Sequence, residues 1–514
     1  MPQQVNLDAL IPREDFAINE GGSTSQFGQT IQIRDLEEGS FFYPILRKPD
    51  FQRETADWTP DKISSFIESY ISGDLIPAII LWQSGVNIFV IDGGHRLSAL
   101  IAWVSDDYGD GDISRQFFEH QISDEQKKIA EKTRKEVSKK IGSYKDLQHA
   151  ARYPDRANQE HVEKAKKLGF TALQLQWVTG DAEKAEESFF KINQHAAPID
   201  KTELRLLNSR QKPNAIASRA IIRAGKGHKY WSSFSLEAQD TIEELSNHIN
   251  NLLFSPTFQT PIKTLDLPVA GKGYSAGSLN LLLDLINLAN NKTESQVSND
   301  LDGSETINFL KTTKRILSRI TGQHPSSLGL HPIVYFYSVS GRYQPTSFLA
   351  AIEFVKWLDQ HKKLKQFISA REGFENFMLQ YKSIPNQITN KFGSGAKKGH
   401  RRLFEFYVKL LNLKLEGTSD TDIVENISKD DIFGFLQFSP SFTKTNESSF
   451  SNNVKSTAFI QEALKNPIRC QICQGLIHKN STSFDHIQRK ENGGTGSAEN
   501  AQLAHPYCNS TYKN

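Results

Sequence analysis

Cysteine is almost absent: the 514 residues contain three, along with only two methionines. Long hydrophobic runs are missing as well. The longest uninterrupted one, Leu75 to Trp82, falls far short of the ~20 residues a membrane helix needs, and no basic region followed by an apolar stretch opens the chain. These absences exclude a membrane-spanning protein and a secreted, disulfide-stapled one, and a cytoplasmic location is expected. Charge of one sign is also lacking. With 61 Lys and Arg against 59 Asp and Glu the formal net charge is +2, so contact with any polyanion has to come from local patches. At roughly 100 to 200 residues per domain the length suits about three domains with real cores, which rules out a mainly disordered chain.

The few cysteines are not scattered. Cys470, Cys473 and Cys508 all fall in the last 45 residues, which random placement produces on the order of once in a thousand chains. The tail reads Cys470-x-x-Cys473, then Phe484-Asp485-His486-Ile487, Gly493-Gly494, Asn500, Leu503 and His505-x-x-Cys508-Asn509. The CxxC and HxxC pairs supply the four positions of a tetrahedral structural Zn²⁺, and so short a segment cannot hold its shape on apolar burial alone. Asp485-His486 sits in a β-prone run followed by a polar glycine loop. Residues 501–505 can pair back as a second strand, and Pro506 starts a short helix. In that ββα arrangement Asp485 and Asn509 are expected to converge on a hard cation, with the His486 imidazole facing the same spot. Phosphodiester hydrolysis uses those parts: a metal to neutralise growing charge and a neutral imidazole to take a proton from the attacking water. The bland alternative is a zinc knuckle that only binds, which needs the four zinc ligands but neither the Asp-His pair nor the Asn after Cys508.

From about residue 468 to 514 this pattern resembles the zinc-containing HNH nuclease family. The resemblance implies His486 as general base, Asp485 and Asn509 as ligands of a catalytic Mg²⁺ or Mn²⁺, Asn500 as a brace of the loop, and Cys470, Cys473, His505 and Cys508 as zinc ligands. His505 stands where many members have cysteine.

A second ordered set lies near the other end: Gln52-Arg53, Trp58, a helix to Ile71, Gly73, and the turn Asp92-Gly93-Gly94-His95-Arg96 between a strand and a helix. Such a turn exposes backbone N–H groups at the positive end of a helix, where a phosphate can sit with Arg96 as counter-charge. Taken alone it is equally a tight turn capped by Asp92 and His95. The set closely resembles the ParB and sulfiredoxin-like domain of GmrSD-type modification-dependent restriction enzymes, over about Phe41 to Val104 and again Phe189 to Glu203. That resemblance implies nucleotide binding by Gln52, Arg53, Asp92, Gly93, Gly94, His95, Arg96 and Asn193. It also raises NTP hydrolysis, left open because Gly94 and His95 replace the family's two glutamines. Glu203 reads better as the partner of Asp200 in a capping box. A sulfiredoxin-like reductase is disfavoured, since the turn has no cysteine.

Between the two sets the pattern is mostly helical. Thr59, Pro60 and Gly73 punctuate a helix over Asp61 to Ser72, and Pro77–Trp82 with Val86–Ile91 predict a hairpin around Ser84-Gly85. Residues 124–168 read as solvated helical faces, and Ile307–Ile320 and Phe348–Phe367 as further helices. Lys397, Lys398, Arg401 and Arg402, with Arg489 in the tail, are candidate DNA contacts. The expected fold is α+β and predominantly α. Its parts are a lead-in over residues 1–35, a nucleotide-binding domain over 36–209 with a charged insertion near 115–170, a helical domain over 210–437, a linker over 438–457 and an HNH domain over 458–514. The expected function is a metal-dependent DNA endonuclease gated by a nucleotide, acting on double-stranded phage or modified DNA, with no membrane partner and homo-oligomeric assembly left open. Two alternatives stand beside it: a nucleotide-switched DNA-binding regulator with a non-cleaving zinc knuckle, and a nuclease whose N-terminal fold only senses modified bases.

Overall fold

The computed structural model describes residues 4–14, 28–49, 58–118, 122, 124–180, 184–185, 187–188, 191–192, 205, 209–226, 229–273, 276–393, 399–438 and 450–513. The chain divides into two compact units, Met1–Arg210 with Lys226–Tyr230, and Gln211–Gly225 with Trp231–Asn514. The helical span and the cysteine-bearing segment therefore share one unit. No helix among the described residues is long and apolar enough to cross a membrane.

The first unit is built on a six-stranded mixed sheet: β1 (Arg13–Glu14), β2 (Thr30–Gln32), β3 (Leu46–Pro49), β4 (Ile79–Ser84), β5 (Asn87–Asp92) and β6 (Ala172–Val178), in the order β1-β3-β5-β4-β6-β2. Gly85, at φ 59°, turns β4 back onto β5 as an antiparallel pair. On β5, Ile88 and Val90 join the main core while Phe89 and Ile91 join a second cluster with Trp82. Alternation along the strand thus gives each face its own apolar layer.

Helix α1 (Pro60–Ser72) has the ends its sequence announces. Thr59 accepts a hydrogen bond from the Lys62 N–H at 3.3 Å, Pro60 fills the first turn where no donor is needed, and Gly73 closes the helix at φ 76°. Its Ile63, Ile67 and Ile71 pack with Leu97, Leu100 and Ile101 of α2 (Gly94–Ser105) in the main core. The charged stretch folds into α4 (Asp124–Lys140), α5 (Tyr144–Arg152) and α6 (Gln159–Leu168), after a short α3 (Asp112–Phe117). It is not wholly solvated, because Ile129, Ala130, Val137, Ile141 and Leu147 enter the same core.

The second unit is helical: α7 (Pro213–Ile222), α8 (Leu236–Phe254), α9 (Ala276–Ala289), α10 (Ser304–Ile320), α11 (Pro332–Tyr335), α12 (Pro345–Gln360), α13 (Leu364–Gln380), α14 (Ile384–Phe392), α15 (Gly399–Leu415), α16 (Asp420–Ser428) and α17 (Asn452–Ala463). The single helical pattern read over Phe348–Phe367 is two helices, broken where Lys362 takes a left-handed φ of 56°. Aromatic rings fill the centre: Phe354 stacks on Phe374 at 5.7 Å, with Phe367, Tyr335 and Tyr407 around the pair. The unit ends in a hairpin of β7 (Ser483–His486) and β8 (Ala501–Ala504), followed by a wide helical turn over Cys508–Tyr512. The architecture is the predominantly helical α+β fold expected.

Gly93 caps α2 at φ 95°, and a Cβ there would collide with the Ile79 side chain. Gly93→Ala is expected to cost about 1–3 kcal/mol of stability, read as a lowered denaturant midpoint.

Candidate functional site: a Cys3His cluster beside an Asp-His strand

Residues 469–477 form a knuckle. Cys470 donates its N–H to the Gly475 carbonyl, Gln474 donates back to the Cys470 carbonyl, and the Ile477 N–H meets the Ile468 carbonyl, each at 2.9 Å. These bonds hold the CxxC loop tight enough for both sulfurs to point one way. The N–H of Gln471 bonds the Leu503 carbonyl at 2.9 Å and brings β8, and with it His505 and Cys508, under the knuckle. Cys470, Cys473, His505 and Cys508 are all buried, with ligand atoms within 4.8 Å of one another. No other such metal-holding group occurs among the described residues.

The imidazole is already set for a metal. Its Nε2 donates to the Leu476 carbonyl at 3.0 Å, which leaves the Nδ1 lone pair aimed at the sulfurs, 3.4 Å from Cys473 Sγ. Burial lowers the His505 pKa and keeps the ring neutral. Hydrogen bonds from Cys473 and Cys508 pull the Cys470 thiol far down, while the bond to Cys470 pushes Cys473 up to about 11 and Cys508 higher. One thiolate is easy here and three need a cation. The donor set fits a structural Zn²⁺.

The cluster is backed by charge from α13. Arg371 is completely buried: it donates from Nε to Glu375 Oε1 at 2.7 Å, from Nη1 to the Leu328 carbonyl at 2.5 Å and from Nη2 to the Gly329 carbonyl at 2.9 Å. Nη1 also lies 3.2 Å from His505 Nδ1. Glu375 receives the Tyr335 hydroxyl at 3.0 Å and the Leu476 N–H at 3.1 Å, so the pair joins the helical core to the knuckle. Gly475 leaves room for this approach, since a Cβ there would strike the guanidinium.

Further bonds fix the hairpin to the loop after α10. Ser481 Oγ accepts from the Gly322 N–H at 2.9 Å, Tyr507 donates its N–H to the Ser327 carbonyl at 2.9 Å, and Ser510 donates to the Pro325 carbonyl at 2.8 Å.

On β7, strand alternation puts Ser483 and Asp485 on one side and Phe484 and His486 on the other, with Asp485 buried and Phe484 exposed. The Asp485 carboxylate, 8% exposed, accepts the Gln502 amide and the Lys513 ammonium, each at 2.7 Å. Lys513 also donates to the His486 carbonyl at 2.5 Å. Asn509 Nδ2 donates to Ser483 Oγ at 2.8 Å and to the Phe484 carbonyl at 3.1 Å, which puts Asn509 beside the Asp485 face. The final turn thus runs along the free edge of β7. The sequence reading had the imidazole facing the same spot as Asp485 and Asn509; strand alternation instead carries His486 on the opposite face. Asn500 accepts the Gln488 N–H at 2.7 Å and donates to the Gln488 and Thr495 carbonyls at 3.0 and 2.7 Å, tying off the glycine loop.

Elsewhere, Arg96 bonds Asp92 at 2.6 Å and donates to the Pro77 and Ala78 carbonyls, which staples β5 and α2 to the strand entry. His95 stacks on Trp58, centroids 5.8 Å apart, and Lys62 covers the same indole at 4.9 Å. Gly94 is buried in the first turn of α2. Arg401 is largely exposed and lies 3.7 Å from Glu405, while Arg402 pairs with Glu405 at 2.7 Å and lies over Phe392. Arg489 is half-buried and donates to the Lys513 carbonyl. Gln52, Arg53, Asn193, Asp200, Glu203, Lys397 and Lys398 lie outside the described residues. Sequence reasoning missed Lys513, whose only signal is a lysine one helical turn past Asn509, and missed Arg371 and Glu375, whose i,i+4 spacing looks like an ordinary surface pair.

Residues 33–209 match the GmrSD restriction endonuclease, N-terminal domain, and residues 470–514 match HNH endonuclease. The chain joins a GmrSD-type N-terminal domain to an HNH domain. No curated protein and no solved structure gives a match. The pair of domains supports a DNA endonuclease acting in restriction, and the Cys3His cluster of the HNH domain could hold a metal such as Zn²⁺.

Removing one member of a buried ion pair typically costs ~3–5 kcal/mol. Arg371→Met is expected to lose about that much stability and to release zinc to a chromogenic chelator at least ~10-fold faster. Retention at the wild-type rate would contradict the counter-charge role.

Proposed function

We propose that the protein hydrolyses phosphodiester bonds in double-stranded DNA, using His486 as general base and a divalent ion held by Asp485 and Asn509. The observation that carries this is the short strand β7, whose outer edge the final turn lines. Asp485 and Asn509 lie against it from one face and His486 stands on the other, all docked on the buried Cys3His cluster. In-line displacement requires the water and the leaving oxygen on opposite sides of the phosphorus. A base on one face and a cation-binding carboxylate on the other suit a phosphate seated at the carboxyl end of β7, where His486 is the last residue. The hard oxygens of Asp485 and Asn509 fit Mg²⁺ or Mn²⁺, which when bound neutralises charge on the phosphate and the departing oxygen. Asp485 already holds the Lys513 ammonium, so a divalent ion bound there takes the place of that lysine. His486 takes the proton of the attacking water, and Asn500 keeps the glycine loop from collapsing over it.

Further inferences follow the GmrSD-type match. The amino end of α2 takes a nucleotide phosphate, nucleotide binding gates cutting, and the DNA restricted is phage or modified DNA met in the cytoplasm. The N–H groups opening α2 behind Gly93 support the phosphate site, and Arg96 acts there first as a staple.

His486→Ala is expected to lower the Mg²⁺-dependent nicking rate of plasmid DNA by about 10²-fold or more, with zinc content unchanged. Equal nicking by mutant and wild type removes the hydrolytic reading. Adding each common NTP to digests of modified and unmodified phage DNA tests the gate, which predicts a changed rate with at least one nucleotide; unchanged rates with all of them contradict it.

A further inference from the structure

The face of β7 that carries His486 also carries an apolar side chain in the open: Phe484 is 72% exposed. Ile468, beside Leu503 in the neighbouring cavity, is 62% exposed. Phe484 pairs directly with Leu503 across the hairpin, and Leu503 and Ile468 line one cavity together with Thr482. Thr482, Phe484 and His486 alternate onto the same side. An apolar strip therefore runs from the cavity, over Leu503 and Phe484, to the imidazole. Exposed Lys479 stands at the cavity end, and exposed Lys490 follows His486 by four residues.

Single exposed hydrophobes need no explanation, but this strip lies where a nuclease's substrate has to pass. Residues two apart on a strand are roughly 7 Å apart, and a duplex strand advances about 3.4 Å per nucleotide. Phe484 thus sits about two nucleotide steps from any phosphate seated at His486. A DNA strand alternates charged phosphates with apolar base faces, and the strip offers apolar surface between two lysines.

Resting on His486 as the base, we infer that Phe484 is a stacking platform for a nucleobase within about two nucleotides of the scissile phosphate. Leu503 supports the ring from the neighbouring strand, and Lys479 and Lys490 take the phosphates on either side. Base–aromatic stacking is sequence-tolerant, so the platform adds grip and distorts the duplex beside the cut without choosing a sequence. Phe484 is too exposed to be needed for folding, so its removal is a clean probe.

The test uses the full-length zinc-loaded protein and DNA duplexes carrying 2-aminopurine at successive positions, with Ca²⁺ in place of Mg²⁺. Wild type is expected to raise 2-aminopurine fluorescence at one or two adjacent positions. Phe484→Ala is expected to abolish that rise and weaken binding about tenfold, while Phe484→Trp keeps both. Zinc content and thermal midpoint should be the same in all three proteins. Phe484→Ala binding within twofold of wild type with the same fluorescence pattern overturns the platform, as does a wild type that leaves every position stacked. Cleavage is scored separately with Mg²⁺: a wild type that passes the fluorescence test but never cuts would sink the hydrolytic reading and spare the platform.

Discussion

A buried guanidinium against a cluster of sulfurs is the interaction on which the second unit turns. Arg371 has no exposed surface; it donates to Glu375 and to two loop carbonyls, and its guanidinium lies against His505. A zinc ion bound by three thiolates and a neutral imidazole carries net negative charge, and an uncompensated charge at such depth is severely unfavourable. The arginine supplies the compensation, and Glu375, bound in turn by Tyr335 and the Leu476 backbone, keeps it in place. The HNH segment is therefore finished by residues from α13. A fragment cut from the helices would expose this pair and lose the bonds from Gly322, Ser327 and Pro325.

Rigidity at that depth matters because the proposed chemistry lies on a short strand. β7 is short and pairs with only one strand, an arrangement marginal by itself in water. With the knuckle on one side and the helical scaffold beneath, the strand can hold Asp485 and His486 on opposite faces and let the last turn close its free edge. Lys513 joins the Asp485 carboxylate to the His486 carbonyl, so one side chain fixes the spacing of the two residues that the proposed hydrolysis uses.

What the sequence disclosed follows the range of each interaction. The caps of α1, the β4–β5 hairpin and the CxxC and HxxC pairs of the Cys3His cluster are each encoded within a few residues, and spacing rules reach them. The break between α12 and α13 was hidden because apolar periodicity runs on through Lys362, whose left-handed φ no helical pattern reveals. Arg371 and Glu375 were invisible for a different reason: an arginine and a glutamate four apart look solvated until a knuckle about a hundred residues later covers them. The opposite facing of Asp485 and His486 follows from strand alternation, which a convergent reading of the Asp-His pair leaves out. At the glycine turn the sequence offered Arg96 as a phosphate partner, and the structure has it bonded to Asp92 and two carbonyls, a choice that depends on where the chain entering β4 happens to pass.

Zinc K-edge X-ray absorption on the purified full-length protein tests the keystone directly. The account predicts one zinc per chain with three sulfurs at about 2.3 Å and one nitrogen at about 2.0 Å. A protein that folds without zinc, or a first shell of oxygen and nitrogen alone, would contradict it.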